Sequence, residues 1–345
     1  MEILQILKAM IPFLLLTGHS IFEFIFGEMY VMALDFEWTR FKFDYNKTYG
    51  DDIDEEYRRY KIYKENKARY EEHNERYKQG LVTWTIGINK FSDLTEEEYQ
   101  EAVAAEKLKV EGEIQARTKH RTHEFNGNAP ASIDWRQFDA VTEARTQDCE
   151  RKCGCFWAMA AVGAIESQYA ILYNRRVLLS PQELIDCSML YKNKGCTGGS
   201  ANEAFKYIIN NGLGSEFSYP YNAKNGTCYR NKPVAKLIDY VLVPNNEKHL
   251  IDAVGTIGPV VVSLNVQYMK GYTSGIFKCP KNSPPNNHEV LMVGYGEENG
   301  VPYWLLKNSW GDKWGESGYM KIRRSDGSTQ CGILDRSHPS YPVIE

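Results

Sequence analysis

Polar and apolar positions give the chain three textures. Across residues 51–78 Glu, Lys, Arg and Tyr crowd together without a Gly or Pro. This predicts a solvent-facing helix, supported by pairs such as Glu65 with Arg69 and ended by Gly80. Beyond His120, the string from Phe125 through Asn126, Gly127, Asn128 and Pro130 collects turn formers with almost no periodicity, the texture of a linker or a processing site. Residues 157–172 are then nearly all apolar, broken only by Glu166, Ser167 and Gln168, and predict a buried helix. Ser180-Pro181-Gln182-Glu183 ahead of Leu184 and Ile185 combines a capping box with Pro at the first helical position, and Gly212 closes another helix begun near Ala201. The runs at 260–264, 290–293, 303–306 and 319–322 are short, rich in β-formers and separated by Gly and Pro turns. Helices are therefore followed by a sheet or barrel, with no repeat of solenoid period.

Composition narrows the class. The 345 residues are 43% apolar and 25% charged, enough for a sizeable core, which excludes a disordered chain. Lys and Arg number 41 against 45 Asp and Glu, net −4, with no long basic block, so nucleic acid is not an expected partner. All 8 cysteines lie between Cys149 and Cys331, which points to a bridged C-terminal part in an oxidising compartment. An uncharged stretch from Ala9 to Leu16 suits a signal-peptide core and is too short to span a bilayer. Glu2, Glu23 and Glu28 make that leader irregular, and a misassigned start codon is the alternative.

Cys153-Gly154-Cys155-Phe156-Trp157-Ala158 stands at the mouth of the apolar helix. This string resembles the local signature of papain and cathepsin cysteines. Further matches follow in order. Glu55, Arg59, Tyr63, Asn66, Tyr70 and Asn74, with Gly87-Ile-Asn89-Lys-Phe91-Ser-Asp93, resemble the inhibitory propeptide of that family. Asp134-Trp135-Arg136 resembles the start of the mature enzyme, and Gly195-Cys196-Thr197-Gly198-Gly199 its substrate-binding wall. Asn287-His288 and Lys307-Asn308-Ser309-Trp310-Gly311 resemble its histidine strand and asparagine loop. The chain is thus identified as a member of the papain family, similar to cathepsin L precursors.

The resemblance implies an α+β, papain-like two-domain fold: a helical left half, a β-barrel right half and a helical N-terminal propeptide sealing the cleft. It suggests a leader over residues 1–33, a propeptide over 34–128 and a peptidase domain over 129–345. The implied substrate is a peptide or protein in the cleft, and the implied intramolecular inhibitor is the chain's own propeptide, released as acid protonates its carboxylates. A monomer of the lysosome or extracellular space is expected, without cofactor or metal. The sequons at Asn46 and Asn225 are compatible with that route.

In such a site a thiolate at a helix N-terminus, beside an imidazolium, attacks the peptide carbonyl. By resemblance His288 delivers the proton to the leaving amine, Asn308 orients its ring, Trp310 screens that contact, and Gln147 donates to the oxyanion. Gly198, Gly199 and Ser200 line the substrate. The family's nucleophile immediately precedes the tryptophan, and here that residue is Phe156, which has no nucleophilic atom. Cys155 is one residue early, a rotation of about 100° on a helix and a rise of about 1.5 Å. A displacement of ~1 Å can already cost on the order of a hundredfold in rate. The loop between Gln147 and Trp157 is also longer than usual; aligned without the insertion, Glu150 takes the glutamine's place and opposes an oxyanion. Either the chain is a catalytically silent homologue that binds peptides or partners through its cleft, or a helical irregularity brings Cys155 into play with His288 and Asn308.

The resemblance further pairs Cys153 with Cys196, Cys187 with Cys228, and Cys279 with Cys331. Cys149 and Cys155 remain; they could bond together, or Cys149 could displace Cys153. The segment after Cys331 corresponds to a specificity-pocket floor, with Arg336 or His338 as basic candidates that would favour acidic substituents.

Overall fold

The computed structural model describes residues 27, 29–103, 121–147, 153–229, 231–325, 330–335 and 338–344. Most of the leader, together with Cys149, Glu150 and Arg336, lies outside these residues.

Two helices open the described chain. Helix α1 (Phe36–Asp44) starts at Asp35, whose carboxylate accepts from the Trp38 amide at 3.0 Å. Helix α2 (Ile53–Lys78) is capped by Asp52, with acidic residues in its first turn and Arg76 and Lys78 in its last, as the helix dipole favours. Its apolar seam is aromatic: Tyr60 and Tyr63 pack on Trp38 and Phe41 of α1. Met32, inside the span read as leader, is buried in the same cluster. Asn66, within the helix, donates to the Ser92 and Leu94 carbonyls, and Asn74 exchanges hydrogen bonds with Ile86. These two amides hold the following segment, strand β1 (Trp84–Ile86) and helix α3 (Glu96–Val103), against the rest of the protein.

Two cores follow. Around helix α4 (Phe156–Tyr173), buried through Gln168, pack helices α5 (Pro181–Cys187) and α6 (Ala201–Asn211). Ser180 caps α5 by accepting from the Glu183 amide at 3.0 Å, with Pro181 at N1. The second core fills the sheet. It comprises β2 (Arg121–Thr122), β3 (Ile133–Asp134), β4 (Leu237–Leu242), β5 (Val260–Leu264), β6 (Tyr272–Phe277), β7 (His288–Glu298), β8 (Val301–Lys307), β9 (Tyr319–Arg323) and β10 (Ser340–Ile344), with helix α7 (Glu247–Thr256) alongside. The order is β1-β6-β9-β8-β7-β5-β10-β4-β2, with β3 paired to β7. The propeptide-like β1 thus adds antiparallel to the edge strand β6. Strand β7 is buried from His288 to Gly296 because α4 covers it; a Cβ at Gly163 of α4 would sit 3.2 Å from Leu291.

Disulfides join Cys153 to Cys196, Cys187 to Cys228 and Cys279 to Cys331. The Cys153–Cys196 bond overturns the alternative in which Cys149 takes Cys196. By loop-closure entropy each bridge contributes roughly 3 to 4 kcal/mol. The linker texture near residue 125 conceals a docked segment: β2 pairs parallel with β4, and His123 is buried.

Candidate active site

The site forms where the first turn of α4 meets the start of β7 and the loop after β8. Phe156 is the first residue of α4 and is fully buried. Its ring lies against His288, centroids 4.7 Å apart at 47°. His288 Nε2 donates to Asn308 Oδ1 at 2.9 Å, and the Ser309 amide donates to the same oxygen at 2.8 Å, which fixes the Asn308 side chain. Trp310 covers this pair, its ring 5.2 Å from His288. His288, Asn308, Trp310 and Phe156 therefore converge.

Burial dominates the electrostatics of His288. It pulls the imidazole pKa down to about 4, against the opposing influence of Asn308 and the nearby Val103 carbonyl. The ring is neutral above that pH, and among the described residues nothing makes a well-formed hydrogen bond to Nδ1.

Cys155 does not join the group. It is the N-cap residue of α4, fully buried, with its Sγ 3.0 Å from the Tyr221 hydroxyl. Tyr221 gives its proton to the Gln147 carbonyl at 2.7 Å, so the thiol is the donor to Tyr221. A thiol engaged as a donor is not the thiolate that attacks. Gln147 is fully buried between the two halves: Nε2 donates to the Cys153 carbonyl at 3.2 Å, and Oε1 accepts from Ser309 Oγ at 2.7 Å.

The wall at Gly198, Gly199 and Ser200 is tied to this turn by the Cys153–Cys196 bridge and by the Gly154 amide donating to the Cys196 carbonyl at 2.7 Å. Gly198 takes φ 127°, and a Cβ at Gly199 would meet the Trp157 ring at 2.7 Å, so neither position admits a larger residue without strain. Ser200 caps α6, accepting from the Asn202 amide. His338 is exposed, and Arg336 falls outside the described residues.

Two residues of the site escaped sequence reasoning. Glu289, next to His288, is buried and reaches across to the helical half, where its carboxyl accepts from the Ala201 amide at 2.9 Å. Burial raises its pKa to about 7, outweighing its hydrogen bonds to Ala201, Ser200 and Ser263. One acidic residue in an otherwise apolar run was its only signal in the sequence. Tyr221 lies 66 residues from Cys155, and nothing in the sequence connects them.

The propeptide-like segment packs against this group through Trp310. Phe91 and Tyr99 meet Trp310 edge-on at 5.3 and 5.9 Å, and Asn89 donates to the Lys270 carbonyl at 2.7 Å.

Comparison with known proteins agrees with this geometry. Residues 129–343 match the papain family cysteine protease domain, and residues 38–99 match the cathepsin propeptide inhibitor domain. A cathepsin L-like proteinase of Phaedon cochleariae is 40% identical over 315 residues, covering 89% of this chain and 93% of that one. Cathepsin S of Bos taurus is 38% identical over 320 residues, covering 90% and 93%. Among solved structures, digestive procathepsin L 3 of Tenebrio molitor larval midgut superposes with a TM-score of 0.80 at 38% identity, covering 89% of this chain and 98% of that one. The chain belongs to the papain family of cysteine proteases, with a cathepsin-type propeptide inhibitor domain ahead of its peptidase domain.

Proposed function

We propose that this protein is a catalytically silent, cathepsin L-like homologue whose cleft receives peptide or protein segments without cutting them. One observation carries the reading: a phenyl ring, not a sulfur, lies against His288 at the N-terminus of α4. A phenyl ring cannot attack a carbonyl. The neutral His288 has no thiolate to pair with, and the Gln147 amide already bonds the Cys153 carbonyl. In this reading Asn308, Trp310 and His288 persist as a hydrogen-bonded and packed unit that keeps the cleft's shape. Gly198, Gly199 and Ser200 line the bound segment, and Arg336 is the basic candidate for the pocket floor. The propeptide over residues 34–128, which includes the inhibitor-domain match at 38–99, acts as the chain's own inhibitor and seals the cleft until it is removed. The three disulfides and the cathepsin relatives support the secretory route, lysosomal or extracellular, and a monomer is the expected state there.

The test is a thiol-reactive epoxide probe with peptide mapping on the processed protein, beside a fluorogenic peptide library. The reading expects no hydrolysis and no labelling at Cys155. Labelling of Cys155 together with hydrolysis at peptidase rates contradicts it.

A further inference from the structure

Asp252 of α7 is completely buried in the precursor. Among the described residues, every hydrogen-bond donor on its carboxylate comes from the stretch just ahead of the peptidase-domain match: His123 Nε2, the Asn126 amide and the Gly127 amide, each at 3.0 Å. In the precursor these hydrogen bonds outweigh burial and hold Asp252 below the ordinary carboxylate range, so the group is an anion when the propeptide is cut. With the propeptide ending at Asn128, its removal takes all three donors away. The carboxylate then needs another donor, a cation or water.

The cut itself supplies a cation. Water adds across the Asn128–Ala129 peptide bond, catalysed by a protease of the compartment, leaving a carboxyl on Asn128 and an amine on Ala129. That amine takes up a proton below its ordinary pKa of about 7.7 to 8.0. Ala129 already lies over the face of α7 that carries Asp252. A Cβ built on Gly255, three residues after Asp252, would sit 2.8 Å from the Ala129 Cβ and 3.1 Å from Pro130 Cδ. The Pro130 carbonyl accepts from the Tyr295 hydroxyl at 2.7 Å, and β3 pairs with β7, so the new terminus is tethered one residue from a fixed point. The Ala129 nitrogen is two residues on from the Gly127 amide that touches Asp252, at most about 7 Å even for extended chain. Here the chain turns: Gly127 takes φ 73°, and Asn126 Oδ1 accepts from the Asn128 amide at 2.8 Å.

We propose that Asp252 is the receptor for the chain's own new N-terminus: once the propeptide is cut away after Asn128, the Ala129 ammonium moves onto the Asp252 carboxylate and takes the place of His123 and the two amides. This rests on the boundary after Asn128 and not on whether the cleft cuts peptides. The other titratable groups facing Asp252 are Tyr341, which burial pushes up to about 12, and Tyr295, which burial also raises. Arg324 lies over the Tyr295 ring at 5.6 Å, and His249 of α7 has its ring 6.4 Å from that of His123; none of these donates to the carboxylate. Arg121 leaves with the propeptide. An ammonium paired in this way titrates above its ordinary range, so the link contributes fully below about pH 7.7 and is lost as pH rises through the raised value.

The processed protein is sequenced from its N-terminus. Its terminal amine is then titrated by competitive acetylation with acetic anhydride from pH 6 to 10, read by peptide mass mapping, in the parent and in Asp252→Asn. The expected terminus is Ala129, with an amine pKa about one unit above the ordinary range in the parent and within it in Asp252→Asn, so that at pH 7 the variant's amine reacts about tenfold faster. A terminus other than Ala129 overturns the proposal through its boundary. An Ala129 amine that titrates in the ordinary range in the parent, or at the same raised value in Asp252→Asn, overturns the pairing while the boundary stands. Should the variant not fold, the titration of the parent decides alone.

Discussion

Phe156 stands at the first position of α4 with its ring 4.7 Å from that of His288. A sulfur there would gain the two influences that acidify a thiol, the free amides of a helix N-terminus and a neighbouring imidazole. In Phe156→Cys, the new thiol should react with iodoacetamide at pH 5.5 about a hundredfold faster than Cys155 does in the parent, as for a thiol pKa lowered by about two units. Peptide hydrolysis should become measurable yet remain below that of ordinary peptidases while Gln147 bonds the Cys153 carbonyl. Mass mapping of the alkylated residue checks the first expectation and a fluorogenic peptide the second.

His288 and Glu289 are neighbours that link stability to pH in opposite directions. His288 titrates near 4 in the folded protein against an ordinary 6.5, so its contribution is complete above 6.5 and is lost as pH falls towards 4. Glu289 titrates near 7 against an ordinary 4.5, so its contribution is complete below 4.5 and is lost as pH rises through 7. Each displacement is worth at most about 3 kcal/mol. Between pH 4.5 and 6.5 the two slopes cancel, and the urea midpoint of the parent should be nearly flat. Glu289→Gln should be more stable at pH 6.5 than at 4.5, and His288→Gln the reverse. Parallel slopes in the two variants would show that these groups do not titrate as described.

The propeptide contact can be tested at Phe91, which is buried and edge-on to Trp310. Phe91→Ala removes a core ring, at a cost of about 3 to 5 kcal/mol. Hydrogen exchange over residues 84–103 should accelerate while exchange in α4 stays unchanged. Acceleration in both regions would mean that the ring supports the whole protein and not the seal alone.

Much of this was legible in the sequence because local rules fix it. The capping box at Ser180, the Gly closing α6 and the apolar run of α4 all follow from short-range chemistry, and the same elements appear in the structure. Phe156 was legible too, since a single position shows a phenyl ring immediately ahead of Trp157. Cys155 on Tyr221, Glu289 on Ala201 and His123 on Asp252 were not, because each joins groups far apart in the chain through burial that no local pattern encodes. The turn formers after His120 were read correctly as irregular, but irregular backbone can still be tied down by its own amides.

Acid resistance of the helix pair offers a further check. Glu55 is drawn down to about 2, chiefly by its hydrogen bond to Arg58 and also by Arg59, and Glu98 is lowered despite its burial, first by the Thr95 amide and then by the same two arginines. Glu55 therefore stays ionised at pH 4 to 5 and keeps its pairing with Arg58 and Arg59 there. Far-ultraviolet circular dichroism of the full chain should hold from pH 7 to 4 and fall only nearer pH 2 to 3. A transition centred at pH 5 would contradict this.

The most direct measurement is steady-state hydrolysis of a peptide library by the processed protein and its Cys155→Ala variant at pH 5.5. The account predicts no turnover above buffer for either. Turnover at peptidase rates that disappears in Cys155→Ala would contradict it.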